Sequence, residues 1–590
     1  MRNKRWKLTS RRAAIAAGCG MLAMLLLVYM VRPIGLIHGP AMALYKYPLI
    51  WKLPVLVWTV TFIGVGVIPY LFRRKRIKSE LAELVADRRE HVERHTHQPV
   101  WALPEYPRTK RLIQLKYWYF RPGMAAAVLA TIALVFAVST VGTLTDQAVY
   151  QHYKFTDVSE LPANGKARIL PQDVAEQLAT SGYNSSTSRL AQTHIVLDAD
   201  GHIAWTFGEV PNSTWRKYTA KTQGVATLNA ESTARDMDLT EQEFDISTNV
   251  RWTDDLKWQA YKKHFFTDVA ETVYVVTASG EPVIIAPYLK YVGFWVKVPE
   301  LAGVYVVHPD GTMEDLSPEE AEKRPFIVRS GRMFPEALAR EIQESYQYKG
   351  GILNRWLTHK DQTQIADTGS NNQPYLMDFG REGAKWVSTA QPYGKAQATN
   401  AIFLTDTITG ETEVWHVPED EAYTGNSKAL DIVRALSMPG ITFSAPHAKD
   451  SAGKFEAVEP RPIIVNGRFQ FMVSVIPNSK TTVTKTVIID AKTNKAVAVF
   501  NHDTDPEADQ KLEEYLHHGT LPSTTAAGSL PGESFPTGSI DSSPDVPDVV
   551  PGSDGSLSDD ELQAIVDRLQ ESNRAQQEAL RALRDRLLSH

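Results

Sequence analysis

The sequence predicts a multi-pass membrane protein with three transmembrane helices and a large α+β extracytoplasmic region of repeated strand-hairpin-helix units. A disordered linker and a C-terminal coiled coil follow. Three observations carry this expectation. Three apolar runs each approach the ~20 residues a helix needs to cross a ~30 Å hydrocarbon core. Charge is divided along the 590-residue chain, with 22 Lys and Arg against 6 Asp and Glu in residues 1–121, a net +16 that leaves −21 for the remainder. Turn dipeptides then recur between short apolar runs through most of the acidic part.

The uncharged runs are 13–31 (AAIAAGCGMLAMLLLVYMV), 53–72 (LPVLVWTVTFIGVGVIPYLF) and 123–144 (GMAAAVLATIALVFAVSTVGTL). Helices of soluble cores seldom run so far without a charge. Flanks set the orientation, because Lys and Arg near span ends stay cytoplasmic. Segment 1–12 carries Arg2, Lys4, Arg5, Lys7, Arg11 and Arg12 with no acid, and the loop 73–121 holds 13 basic against 6 acidic residues. Both are expected in the cytoplasm, the 32–52 connection in the outer interface, and residues 145–590 outside a plasma membrane. The first run lacks an Ala-x-Ala site, so it reads as a span and not as a cleaved signal peptide. Its Cys19 is the only cysteine, which excludes a disulfide-stapled fold. In the basic loop, His91, His95 and His97 have no cysteine partner and read as a solvated helix end. The run 110–121 (KRLIQLKYWYFR) reads as an interfacial aromatic belt rather than a nucleic-acid surface.

From 145 to 516 the pattern is α+β. Asp200-Gly201, Ser279-Gly280, Asp310-Gly311, Thr409-Gly410, Asn466-Gly467 and Thr493-Asn494 supply the positive φ of tight hairpins. Segments 282–321, 374–422 and 462–508 each open on an X-Pro pair (Glu281-Pro282, Gln373-Pro374, Arg461-Pro462). Each continues through two apolar strands and a hairpin, with Gly311, Gly410 and Asn494 at equivalent turns. Each closes on a Pro-Glu pair at 318–319, 418–419 or 506–507, a helix-start signal. Ser317 with Glu320 makes a capping box, and Asp505 is the expected N-cap of the last helix. Further helical patterns cover 335–346, 427–436 and 506–516. The hairpins LTDTITGETEVW and IIDAKTNKAVAVF, and more loosely VVHPDGTMED, resemble the hairpin of PepSY-type modules. That resemblance implies small extracytoplasmic α+β units, often tied to membrane anchors and to regulation of peptidases or envelope assembly. No functional residue transfers with it.

Chemistry is sparse. There is no P-loop, dinucleotide fingerprint, HExxH or GxSxG. Ser451-Ala-Gly-Lys454 fits Ser-x-x-Lys, but in a Gly-containing polar loop without its Lys-Thr-Gly companion. The clusters Asp236, Asp238, Glu241, Glu243, Asp245 and Asp503, Asp505, Glu507, Asp509 lack EF-hand spacing. No catalytic, cofactor-binding or metal residue is assigned, and no cofactor is expected.

Residues 519–557, rich in Pro, Gly, Ser and Asp, read as a disordered linker. In the closing helix 558–590, Leu562, Val566, Leu569, Asn573, Gln576, Leu580, Leu583 and Leu587 advance in steps of four and three. This is a heptad seam, with Val566, Asn573, Leu580 and Leu587 at a positions. It predicts a homo-oligomer. The function expected is a membrane-anchored scaffold or regulatory interaction protein of a bacterial-type cell envelope. Its partners would be the bilayer, an envelope protein and copies of itself, with no nucleic acid. The alternatives are a cell-wall or peptide-directed enzyme without a motif, or a transmembrane sensor.

Overall fold

The computed structural model describes residues 35–68 and 120–520, apart from 367–370, 372, 395, 419 and 444–453, with a few isolated positions before residue 120. The chain divides into two units, 1–530 and 531–590. The second unit, with the tail helix and its eight seam residues, lies outside the described residues.

Four antiparallel meanders make up the body, each with four strands in chain order. The first runs Ser188–Leu197, Ile203–Pro211, Thr222–Asn229 and Met237–Phe244. The second runs Val273–Val276, Pro282–Val292, Val298–Val307 and Met313–Leu316. The third runs Tyr375–Asp378, Ala384–Pro392, Ala401–Asp406 and Thr412–His416, and gains Phe155–Val158 as a parallel edge strand. The fourth runs Phe455–Val465, Arg468–Pro477, Lys485–Asp490 and Lys495–Asn501. Several inner strands are short continuous apolar runs buried along their whole length, as Ile203–Pro211 is, which is the pattern of strands covered on both faces. Gly311, Gly410 and Asn494 each sit in the hairpin between third and fourth strands, with φ of 80°, 74° and 57°.

The first strand of every meander is interrupted. A register shift falls between Ala191 and His194 in the first and between Val458 and Arg461 in the fourth. In the second, Asp268–Val269 and Val273–Val276 pair separately along one partner strand. In the third, Thr363–Ile365 and Tyr375–Asp378 do the same. An interruption releases residues from the ladder and re-aims their side chains. Glu271, Gln373 and Glu459 occupy three of these breaks, and His194 is the first paired residue after the one in the first meander. Gln373 donates to Ala366 O at 2.8 Å and accepts from Thr389 N at 2.6 Å. Glu459 accepts from Arg168 at 2.6 Å, from Gln172 N at 2.9 Å and from Asn371 at 2.8 Å.

Two helices project from this body with nearly bare apolar sides. Among the described residues, Pro48–Val65 and Gly123–His152 are the two segments long and apolar enough to cross a membrane, and 11% of the apolar 18-residue stretch of each is buried. This corrects the expected three-span architecture. The run 13–31 lies outside the described residues except for Gly20, Met21 and Met24. The second expected span starts earlier than 53, because Pro48 occupies a first-turn position where its missing N–H costs nothing. The third continues past 144 to His152, since its last turns enter the body and bury Val149 completely against Leu338 and Ile342. The two helices pack on each other.

The strand-hairpin-helix unit also needs correction. A helix follows the second meander at Pro318–Ala321, with the Ser317–Glu320 capping box formed. None begins at Pro418, and the next helix is Asn426–Ala435. The last helix, Ala508–His518, has Glu507 at its N-cap position. Asp505 instead accepts from Glu507 N at 3.0 Å and from Lys511 at 2.8 Å. What recurs is a four-stranded meander, and 188–244 forms one without the X-Pro opening or the Pro-Glu close.

Gly410 and Gly280 separate backbone strain from packing. Both have positive φ, but a β-carbon at Gly410 would overlap the ring of buried Phe334, whereas one at Gly280 meets nothing within 4 Å. Each alanine costs about 1–2 kcal/mol in backbone strain. Gly410→Ala should lose a further ~1–3 kcal/mol by overpacking, measured by urea denaturation. Equal losses at both positions would show that Phe334 yields freely.

Candidate functional site

A cavity of about 430 Å³ lies where the first and second meanders meet, lined by His194, Lys217, Arg251, Asp255, Lys257 and Glu271 among others. Local structure places each of them. His194 follows the bulge in the first strand. Glu271 sits in the gap between the two short segments of the interrupted strand. Lys217 comes from the turn Arg216–Thr219. Asn249, held at φ 59°, bends the chain before Arg251. Asp255 caps the helix Leu256–Lys263 by accepting from Trp258 N at 3.0 Å, which brings Lys257 to the rim.

Behind the lining residue Glu271 stands Arg332, which is 1% exposed. Its Nε donates to Ile195 O at 2.6 Å. Its Nη1 lies 3.4 Å from both carboxylate oxygens of Glu271 and 3.4 Å from Glu336. Its guanidinium carbon stands 4.6 Å from the centre of the Trp386 ring. Glu271 also accepts from Glu336 N at 3.3 Å. Burial pushes the Glu271 carboxyl up to about 7; Arg332 opposes the shift and the Glu336 carboxylate adds to it. Burial, helped by the positive charge of Arg332, lowers His194 to about 3. Burial raises Asp255 as well, against the pull of Trp258 N–H, Lys257 and Arg251.

The cavity therefore holds an imidazole that burial keeps neutral, two carboxyls that burial pushes up, Asp255 and Glu271, and the basic side chains Lys217, Arg251 and Lys257. Among the described residues the His194 ring has no hydrogen-bond partner, so it is available to a bound molecule. The set suits a small anion: cations at the rim attract it, and the imidazole can donate to it. Glu271 can give or take a proton near neutrality.

The sequence-predicted positions lie elsewhere. Residues 451–453, His91, His95 and His97 are outside the described residues, as are the seam residues Leu562 to Leu587. The first acidic cluster lies on and beside the outer edge strand Met237–Phe244, largely exposed. The second is absorbed by structure, with Asp509 accepting from Thr233 N at 2.8 Å and from Ser232 at 3.1 Å. No group of three or more metal-binding side chains forms among the described residues. The cavity residues carry no motif because they come from four separated stretches. The available signal was a lone polar residue beside apolar strand runs, as in THIVL and VAETVYVV.

No family model matches the chain, and no curated protein matches it. The resemblance to PepSY-type modules thus rests on the hairpin sequences alone. Among solved structures, one match is a levansucrase from Bacillus subtilis carrying a point substitution. It shows 8% identity and a TM-score of 0.18, over 57% of this chain and 97% of that one. At that score the likeness carries no argument.

The Glu271 environment makes a signed pH prediction. Burial raises its folded pKa from the ordinary 4.5 to about 7, so its contribution is fully present below pH ~4.5 and is lost as pH rises through ~7. The stability of Glu271→Gln relative to wild type should therefore improve across that window, by on the order of 3 kcal/mol. Thermal melts at several pH values read this directly. A difference that stays flat, or falls with pH, contradicts the buried-carboxyl assignment.

Proposed function

We propose that the protein is a membrane-anchored regulatory or scaffolding protein of a bacterial-type cell envelope, whose body takes up a small anionic ligand in the His194–Glu271 cavity. It acts on an envelope partner, and on copies of itself through the tail helix, by contact. The observation that carries this reading is the cavity: three cations and an unpartnered imidazole, on a body bonded to two bare apolar helices. Supporting the anchor, Tyr153 donates to Pro299 O at 2.7 Å, His152 lies 2.9 Å from Glu300, and His38 stacks on Tyr261 at 3.5 Å. These contacts tie the end of the helix Phe120–His152, and the short helix Gly35–Lys46 that leads into Pro48, to the body. The basic loop between the helices favours the cytoplasm under the positive-inside bias, which puts the acidic body outside.

A second reading, an enzyme using Glu271 as acid–base group, is favoured by its near-neutral carboxyl alone. No nucleophile or metal set accompanies it among the described residues.

Both parts are testable on the detergent-purified full chain. At about 100 times its Kd, a bound anion should add ~2.7 kcal/mol to stability. Inorganic phosphate, succinate and citrate are the first probes, and Lys217→Glu with Arg251→Glu should abolish the thermal shift. No shift with any anion removes the ligand-binding reading. For orientation, a reporter active only outside should be on when fused after residue 520 and off when fused near residue 95. The reverse pattern removes the envelope reading.

A further inference from the structure

We infer that the body itself sits in the membrane interface, through two apolar prongs that flank the helix pair and enter the headgroup–acyl boundary of the same bilayer. This rests on the membrane anchor proposed above. The first prong is the hairpin tip 293–297, where Phe294 is 67% exposed and Trp295 stands edge-on beside it at 5.3 Å. Exposed Phe266 joins it through Tyr45, with ring centres 4.8 Å apart. The second is the pair of short helical turns Gly351–Leu353 and Asn354–Thr358, with Leu353 71% and Leu357 73% exposed, and Trp356 exposed between them.

Each prong touches one of the helices near its body end. Lys52 donates to Phe294 O at 2.8 Å and lies 3.8 Å from the centre of that ring. Lys52 is four residues into its helix from Pro48, about 6 Å along the axis at 1.5 Å per residue. The second prong packs on the helix Phe120–His152. Nearby, Tyr348 donates to Asp146 at 3.3 Å. Asp146 lies six residues before His152, about 9 Å along the axis. A headgroup layer is about 5–8 Å thick on each side of the hydrocarbon. Both prongs therefore fall in or just beneath that layer when the bare helix sides occupy the core.

Composition and charge agree with a lipid occupant. Trp and Phe with adjacent basic groups are the residues that settle at the interface. Lys52 and Arg355 stand at the prongs. Lys297 adds a third cation, 3.2 Å from the centre of the Tyr45 ring. Phosphate headgroups match these cations, and acyl carbons match Leu353 and Leu357, which are largely exposed. A prong that lies in this zone holds the body at one height and one tilt, so the cavity stays at a set distance from the bilayer.

The test uses the full chain with Cys19→Ser, reconstituted in phosphatidylglycerol–phosphatidylcholine vesicles. Single cysteines at Trp295→Cys, Leu357→Cys, Val135→Cys and Ser279→Cys are labelled with an environment-sensitive fluorophore. Lipids carrying nitroxides at shallow or deep positions serve as quenchers. The expected result is loss of intensity at 295 and 357 with shallow quenchers, at 135 with deep ones, and none at 279. Quenching at 135 alone overturns the inference and leaves the anchor standing. No quenching at any site overturns both. Protection of 295 and 357 from aqueous iodide without lipid quenching overturns the inference in favour of a protein partner. A prong variant that fails to fold is replaced by Leu353→Cys or Phe294→Cys, which report the same depth.

Discussion

One buried guanidinium holds the centre of the body together. Arg332 reaches the backbone of the first meander at Ile195, the broken strand of the second at Glu271, and the helix Glu336–Ser345 at its first residue. It also lies over Trp386 of the third sheet, whose own indole N–H donates to Phe334 O at 3.0 Å. A buried charge is tolerated only when its hydrogen bonds and counter-charge are supplied by the fold. Here the partners come from positions 195, 271 and 336, so the ion pair forms only once two meanders and a helix have assembled. The same pairing leaves Glu271 with a carboxyl that burial pushes towards neutrality and His194 with an imidazole held neutral. Structural and chemical roles meet at one group.

The breaks in the first strands explain why polar residues gather where they do. A bulge or gap releases one or two residues from the ladder and lets them turn to another element. In the fourth meander that residue is Glu459, which spends its oxygens on Arg168, Gln172 and Asn371. In the third it is Gln373, closed on local backbone. These two are fully engaged and structural. In the first and second meanders, His194 and Glu271 face a shared cavity, and the imidazole is left open. Four similar architectural defects therefore yield two satisfied networks and one site.

The helix pair is coupled to this body through bonds rather than through a linker. The helix Phe120–His152 buries Val149 in the same core as Leu338 and Ile342, and the short helix Gly35–Lys46, which leads into the apolar helix at Pro48, is held at both ends. His38 reaches Phe265 O at 3.0 Å, and Tyr45 reaches Tyr291 O at 3.3 Å. A rigid joint of this kind transmits orientation: tilting the helices turns the sheets with them. It also explains why the apolar run ended by composition at 144 while the helix continues to 152. Asp146 is retained in the helix because Tyr348 of the body donates to it at 3.3 Å.

The amino-acid sequence by itself determined the local elements. Apolar runs without charge had to be helices with exposed apolar faces or buried ones, and Gly311, Gly410 and Asn494 had to be turns because their backbone conformation is left-handed. The Ser317 capping box and the helices near 336 and 427 were equally legible, since each depends on residues within one or two turns. Tertiary structure decided the rest. The 188–244 meander was missed because it carries no Pro-Glu close. The helix expected at Pro418 does not form, because a helix-start signal has no force where the chain is needed as a strand at Tyr423–Thr424. The cavity was illegible because His194, Lys217, Arg251 and Glu271 acquire meaning only when two sheets meet. Periodicity reports which face of an element is buried. It cannot report which distant charge will lie opposite a break in a strand, nor how deeply the residues beside that break will be buried, and it is this burial, modified by Arg332, that set the chemistry of the site.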